Sequence, residues 1–309
     1  MAEYLEVGKN LPVGMIEGEL GYTSRLKMYP CGYNLTVANR ALFRYPGWEA
    51  RTPKKSGRGR SDIPEDVRQR DNQQRARRRA VTSLRDLALS NSWKYFVTLT
   101  LDASRVDRYD VAAMTRRLNR WLDNRVRRRG LRYIIVPELH QDGAIHYHGL
   151  INDALEAVDS GTISRPGDKS PRRPRSKKQR ADWLAAGGHI VYNLPDWEYG
   201  YTTAIELYGS RYAAVAYVSK YISKSTARVG GRWYYHSNNL DRPRVLLGYQ
   251  QIDSAVEDAI ADYRAAGMPE ADIAAKIGRM YSTIDAIAVT LFCRTVMDDD
   301  DNMGGNGND

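Results

Sequence analysis

The chain has 309 residues, of which 42% are hydrophobic and 27% charged, which is the composition of a globular protein with a sizeable core. A wholly disordered chain, a fibrous repeat and a coiled-coil rod are therefore excluded, and no apolar run approaches the roughly 18 residues of a transmembrane helix. Two cysteines, Cys31 and Cys293, make neither a disulfide framework nor a four-thiolate zinc site. With no secretory signal expected at the amino terminus, these features predict a cytoplasmic protein without a membrane partner.

The basic residues are concentrated in two blocks, and the formal net charge is +10. Residues 51–79 hold eleven Lys or Arg and predict a flexible arm that continues into a helix over about residues 65–89. Residues 165–180 hold eight basic residues and three prolines, which predicts a surface loop. Such blocks favour contact with the phosphates of nucleic acid. The candidate contacts are Arg77, Arg78, Arg79, Arg172, Arg173, Arg175, Lys177 and Lys178.

The region between and after these blocks predicts an α+β domain with an antiparallel sheet. Alternating and β-branched stretches predict five strands, and apolar residues at helical spacing predict helices over residues 110–129 and 210–223. The predicted strands are residues 96–101, 132–140, 145–151, 189–194 and 201–207.

A His146-Tyr147-His148 sequence lies in the third predicted strand. Residues two apart in a strand share a face, so both imidazoles project together, about 7 Å apart along the backbone. They form a workable pair of metal ligands, although two surface histidines are the plainer alternative. The preceding strand offers Glu138 or His140 as a third ligand.

The turn between these strands decides whether Glu138 faces the histidines. A two-residue Asp142-Gly143 turn would pair Glu138 with Tyr147 and leave its carboxylate on the opposite face. A three-residue turn over residues 141–143, with Gly143 left-handed, would pair Glu138 with His146. Two imidazoles and one carboxylate suit a divalent cation, so the metal hypothesis selects the three-residue turn.

The helix predicted over residues 210–223 carries two different stripes. Val215, Val218 and Ile222 form an aliphatic stripe, and the other stripe combines tyrosines with lysines. Because a phenol has a reference pKa of about 10, a nucleophilic tyrosine benefits from nearby positive charge or metal. Ordinary packing of two tyrosines on a helix surface is the alternative. The residues of this second stripe are Tyr217, Tyr221, Lys220 and Lys224.

The segment over residues 250–295 is predicted to be helical. Ala274, Gly278, Ile284 and Ile287 have the spacing typical of a helix-turn-helix, in which the glycine forms the turn. A preceding helix over residues 252–266 would complete a three-helix unit. A generic helical cap on the main domain is the alternative, and residues 296–309 are predicted to be an acidic disordered tail.

In order along the chain, Phe96-Val97-Thr98-Leu99-Thr100, His146-Tyr147-His148 and the Tyr217–Lys224 segment resemble the three motifs of rolling-circle replication initiators of the HUH endonuclease superfamily. The two-tyrosine motif resembles initiators of isometric single-stranded DNA phages, and the Val136–Pro195 layout resembles those of filamentous phages and related plasmids. The resemblance covers residues 92–224 and implies a central five-stranded antiparallel sheet flanked by helices, with the fold of an HUH endonuclease.

The resemblance also implies a metal-dependent nickase and strand transferase that acts on single-stranded and origin DNA. By this resemblance His146 and His148 are metal ligands with Glu138 as the third, Tyr217 and Tyr221 are nucleophiles, and Lys220 and Lys224 occupy the lysine positions of the motif. The chain would divide into an arm over residues 1–80, an endonuclease domain over 81–245 with a basic insertion at 160–188, a helical unit and the tail.

Rolling-circle initiation would also need partners. The chain has no GxxxxGK[ST] phosphate loop, so a host helicase would unwind the strands and a host DNA polymerase would extend the 3′-OH, in the cytoplasm of a bacterial host. A relaxase or transposase with the same nicking chemistry, and a non-enzymatic helix-turn-helix DNA-binding regulator, are the alternatives.

Overall fold

A computed structural model describes residues 4–6, 24–38, 64–140, 142–207, 215, 218–222, 228–248, 252–283 and 286–292. In chain order the elements are β1 (Tyr4–Glu6), β2 (Ser24–Tyr29), β3 (Gly32–Ala38), α1 (Glu65–Ser90), β4 (Tyr95–Leu101), α2 (Val111–Arg129), β5 (Tyr133–Leu139), β6 (Ile145–Ile151), β7 (Val158–Ser164), α3 (Lys177–Ala185), β8 (His189–Asn193), β9 (Gly200–Glu206), β10 (Tyr235–His236), β11 (Arg244–Gly248), α4 (Ile252–Ala265), α5 (Glu270–Met280), β12 (Tyr281–Thr283) and β13 (Ala286–Phe292). They form two compact units: a central unit, Gln69–Arg242, and a terminal unit made of residues 1–68 and 243–309.

The central unit contains a seven-stranded antiparallel sheet in the order β10-β5-β6-β4-β9-β8-β7. The five strands predicted from sequence are its contiguous middle, β5-β6-β4-β9-β8. The sheet has two strands more than the five expected, because β7 and β10 add one strand at each edge. The α+β class with an antiparallel sheet is confirmed.

Helix α2 covers one face of this sheet. It begins after Asp110, whose carboxylate accepts the Ala113 N–H, and ends at Gly130, whose left-handed conformation lets its N–H bond Val126 O at 3.1 Å. Its apolar stripe packs against one set of alternating strand residues. The shared core contains Leu118, Leu122, Val97, Leu99 and Tyr147, all at most 2% exposed. The other set of strand residues faces away from α2.

The first basic block continues into the predicted helix, and the second is more regular than the predicted loop. The predicted helix over residues 65–89 is confirmed as α1, while residues 51–63 lie outside the described part of the chain. In the second block, Ser176 caps α3 by accepting the Gln179 N–H, so Lys177 and Lys178 begin a helix instead of extending the predicted loop.

The terminal unit contains a six-stranded antiparallel sheet in the order β1-β11-β2-β3-β13-β12. Strands from both ends of the chain alternate in it, since β3 pairs with β13 and β1 pairs with β11. Helices α4 and α5 pack on β3 through a core that includes Val37, Ala259, Tyr263 and Ile273. The two ends of the chain were expected to form separate segments, and this sheet was not predicted from the sequence.

The second helix of the predicted helix-turn-helix is absent from the described residues of the terminal unit. Gly278, the expected turn residue, lies inside α5, and residues 281–283 and 286–292 are the strands β12 and β13. The segment Ala286–Phe292 contains the β-branched residues Ile287, Val289 and Thr290, and its pairing with β3 favours a strand over the predicted helix. The preceding helix, predicted over residues 252–266, is confirmed as α4. The predicted acidic tail, residues 296–309, lies outside the described residues.

Candidate metal and tyrosine site

The two histidines of β6 share the sheet face opposite α2. Tyr147, which lies between them, points the other way and is 2% exposed in the core beneath α2. His148 is 9% exposed, and its cross-strand partners are Thr98 on β4 and Val136 on β5. The prediction that Tyr147 and the histidines occupy opposite faces is confirmed.

The β5–β6 hairpin has the three-residue register. The His140 N–H donates to Ala144 O at 2.8 Å, which closes a loop over residues 141–143, and Gly143 has φ +84°. Glu138 is therefore the cross-strand partner of His146. Asp142 stabilises the turn by accepting the Ala144 N–H at 3.0 Å. The predicted register is confirmed, although Gln141 itself lies outside the described residues.

The carboxylate of Glu138 reaches His148 directly. His148 Nε2 lies 2.9 Å from Glu138 Oε2, and the opposite ring nitrogen, Nδ1, lies 3.1 Å from the Thr98 hydroxyl. A hydroxyl can donate or accept, so Thr98 can partner Nδ1 in either tautomer. The imidazole is thus held at both nitrogens, one by a carboxylate and one by a hydroxyl.

His146 occupies the same face but contacts a different neighbour. Its ring centroid lies 4.3 Å from that of His140, at the turn end of the hairpin. Among the residues that the structure describes, no three His, Cys, Asp or Glu side chains converge closely enough to hold a metal. The strands therefore bring Glu138 and His148 into contact and place His146 beside them, with its ring turned toward His140.

The chemistry of these side chains fits a divalent cation nevertheless. His148 Nε2 and Glu138 Oε2, which lie 2.9 Å apart, are an imidazole and a carboxylate donor that a divalent cation could take as ligands. Burial lowers the pKa of both histidines below the usual value, even though Glu138 acts in the opposite direction. Neutral imidazole is the form that binds metal, so burial keeps both rings ready as ligands near pH 7. Glu138, His146 and His148 thus offer the donor types that a divalent cation takes, although His146 does not converge with the other two.

The tyrosine segment lies against this face. Residues 215 and 218–222 are helical, and the predicted aliphatic stripe of Val215, Val218 and Ile222 is buried to 1% exposure or less. The Tyr221 ring stacks on the His148 ring with centroids 4.0 Å apart and planes 15° apart. Lys220 is exposed on the same turn. Tyr217 and Lys224 lie outside the described residues.

Two residues of β4 that sequence reasoning did not assign complete the surroundings of His148. Phe96 stacks at 6.1 Å from Tyr221 and 6.3 Å from His148, and Thr98 holds Nδ1. Their spacing in an alternating strand places them on one face, but only the β4–β6 register identifies that face as the histidine face. That register joins residues 50 positions apart, and no local pattern encodes it.

The predicted phosphate contacts are mostly solvent-exposed. Arg77 is half-buried on α1, and the remaining seven are exposed, on α1, on α3 or in the segment before α3. Part of the second block is internally paired, because Asp168 lies 2.8 Å from Arg165 and 3.8 Å from Arg172. The hydrogen bond from Arg165 lowers the pKa of Asp168, so that carboxylate stays charged and offsets some of the positive charge.

A family model described as replication-associated protein ORF2 matches residues 94–226. The match spans β4, the histidine hairpin and the tyrosine segment, and covers less than half of the chain. It supports the assignment of a rolling-circle replication initiator and a role in DNA replication, with DNA as the expected partner. Comparisons with curated proteins and with solved structures gave no match.

Over the described residues, every helix is too short or too polar to cross a membrane.

Proposed function

We propose that this chain is an HUH-type replication initiator that nicks one DNA strand at an origin by metal-assisted tyrosine attack. One observation carries the proposal: Tyr221 stacks at 4.0 Å on His148, which in turn contacts Glu138. The two strands of one hairpin and a helical segment far along the chain thus bring a phenol, an imidazole and a carboxylate together. The match of residues 94–226 to replication-associated proteins supports the same assignment.

In the proposed reaction, a tyrosine phenol attacks the scissile phosphate in line. The phenolic oxygen bonds to phosphorus, the bond from phosphorus to the 3′ oxygen breaks, and the proton lost by the phenol is balanced by one gained at the 3′ oxygen. The products are a 5′-phosphotyrosine and a free 3′-OH that a host polymerase can extend. Because the cut strand stays bonded to the tyrosine through a phosphoester, the later step that joins the DNA ends stays reversible.

Glu138, His146 and His148 would hold Mg²⁺ or Mn²⁺. When bound, such a cation polarises the scissile phosphate and offsets the charge that develops on it. Thr98 would hold the His148 ring at Nδ1, the nitrogen that does not face Glu138. Histidines that bind a metal usually have such a partner at their second nitrogen. Tyr217 and Tyr221, four residues apart, would attack in successive rounds, with Lys220 and Lys224 each three residues after one of them.

The metal requirement is tested with His148→Ala. We expect this variant to lose nicking of single-stranded DNA while its salt-dependent DNA binding stays close to that of the wild type, because phosphate contacts by the basic residues do not need the metal. Nicking is measured by release of a 5′-labelled fragment and binding by fluorescence anisotropy. Full nicking by this variant, or by the wild type in excess chelator, would remove the metal from the mechanism.

A regulator without enzymatic activity is less well supported. That alternative depended on the helix-turn-helix, and the structure has strands where its second helix was expected. A relaxase or transposase would share the chemistry of the proposed site. The ability of the chain to support autonomous replication of a circular replicon separates an initiator from these two.

A further inference from the structure

Helix α1 is buried at one end and exposed at the other. Near its carboxyl end, Leu84 and Leu87 are at most 1% exposed and anchor the helix in the central unit. From Gln69 to Arg75 every residue is exposed, and the stretch up to Ala80 holds five arginines and one acidic residue. A polar helical stretch of this kind gains little from core packing, so its surface is available to a partner.

One side of this exposed stretch forms a wall of an open groove of about 560 Å³. The groove is lined by Asn72, Gln73, Arg75, Ala76, Arg79 and Arg228. The Tyr234 hydroxyl donates to Ser83 Oγ at 2.9 Å and ties the segment that follows Arg228 to α1. The Arg228 guanidinium lies 5.9 Å from the Trp233 ring centroid, which helps to fix its position.

The groove concentrates positive charge. Three of its six lining residues are arginines and none is acidic. Arg75 and Arg79 are also four residues apart on one helix, a spacing at which like charges repel. An anion that bridges the guanidinium groups would relieve this repulsion, and phosphates are the anions that arginines bind in pairs of hydrogen bonds.

We propose that this groove binds the phosphodiester backbone of double-stranded DNA beside the strand that is cut. The identification of DNA as the ligand rests on the proposed function. Arg228 comes six residues after Ile222, so one lining residue of the groove is close in sequence to the tyrosine segment, while the other five belong to α1. The groove would therefore hold the duplex that flanks the single-stranded cutting site.

The lining favours a duplex over a single strand. Sites for single strands stack bases on aromatic side chains, and none of the six lining residues is aromatic. Arginine together with asparagine and glutamine is the set that contacts phosphates and the edges of paired bases. The exposed part of α1 is also a regular helix, the element that the major groove admits.

Binding of a labelled duplex of mixed sequence and of the matching single strand, both with chelator present, tests this proposal in the full chain. The variants are Arg75→Gln with Arg79→Gln, and Arg228→Gln alone. The matched control is Arg116→Gln with Arg120→Gln, two exposed arginines with the same four-residue spacing on α2. Fluorescence anisotropy over a salt series gives the affinity and its salt dependence, and circular dichroism checks folding.

The groove variants should bind duplex at least about tenfold more weakly and flatten the slope of log K against log salt by about 1.8 for the pair and about 0.9 for Arg228→Gln. The control should stay near the wild type. Equal losses in control and groove variants, or a loss for the single strand alone, would overturn the proposal. Adduct formation with single-stranded DNA is measured separately, so failure of the nicking chemistry would be distinguished from failure of the groove.

Discussion

His148 is held on three sides by residues from three different segments. Glu138 lies at one nitrogen, Thr98 at the other, and Tyr221 covers one face of the ring. Together these contacts restrict the imidazole to one orientation. Such an arrangement favours metal binding, because the ring is ordered when the chain folds and loses little further conformational entropy when a metal binds.

Thr98→Val removes the hydroxyl that partners His148 Nδ1 and keeps the shape of the side chain. We expect about 10- to 100-fold weaker Mn²⁺ binding, because outer-shell partners fix the ring and raise its basicity. Isothermal titration with Mn²⁺ measures this without any nicking assay. Thr98→Ser should restore most of the affinity. Thr203→Val, at the cross-strand partner of Thr98 on β9, is the matched control. Unchanged Mn²⁺ affinity in Thr98→Val would show that Thr98 does not position the ligand.

Tyr221 has two separable parts, a ring that stacks on His148 and a hydroxyl that could attack phosphate. Tyr221→Phe keeps the ring, so it should lower the free energy of unfolding less than removal of the whole side chain does. Tyr221→Ala removes a half-buried ring and should lower that free energy by about 1–3 kcal/mol. Denaturant unfolding measures both. Equal stability of the two variants would mean that the stack contributes nothing.

At the scale of elements, local patterns predicted the strands and helices that carry the site. The alternation in residues 96–101 and the Gly143 turn indicated the sheet, while two turn lengths were possible and the metal hypothesis selected the observed register of Glu138. Strand pairing between distant residues was harder to foresee. β10 has only two residues, and β7 contains Gly161 and a register shift, so neither shows a clear alternation. The terminal sheet joins segments more than 200 residues apart, a separation that local spacing does not reveal.

A substitution at Gly278 distinguishes the observed helix α5 from the predicted helix-turn-helix, in which this glycine would form the turn. In the structure it lies within α5, and a Cβ built on it meets nothing within 4 Å. Gly278→Ala should therefore stabilise the chain by about 0.5–1 kcal/mol, because alanine loses less backbone entropy in a helix. The measurement is the free energy of unfolding. Had Gly278 formed a left-handed turn between two helices, the same change would strain the backbone, and a clear destabilisation would support that arrangement.

At the scale of the whole molecule, the candidate chemistry lies within the central unit. Residues 94–226 match replication-associated proteins and hold the histidines, Glu138 and the tyrosines. The terminal unit and the exposed part of α1 lie outside that match. The proposed nicking reaction therefore depends on the sheet and the tyrosine segment of the central unit.

Covalent attachment of DNA tests the central claim most directly. The full chain is incubated with Mn²⁺ and a pool of single-stranded oligonucleotides with a randomised centre, labelled at the 3′ or the 5′ end, and resolved on a denaturing gel. A 5′-phosphotyrosine predicts that the protein retains the 3′ label and releases the 5′ label. Tyr217→Phe and Tyr221→Phe should each still form adduct, and the double variant should form none. An adduct that persists in the double variant, or that retains the 5′ label, would contradict the account.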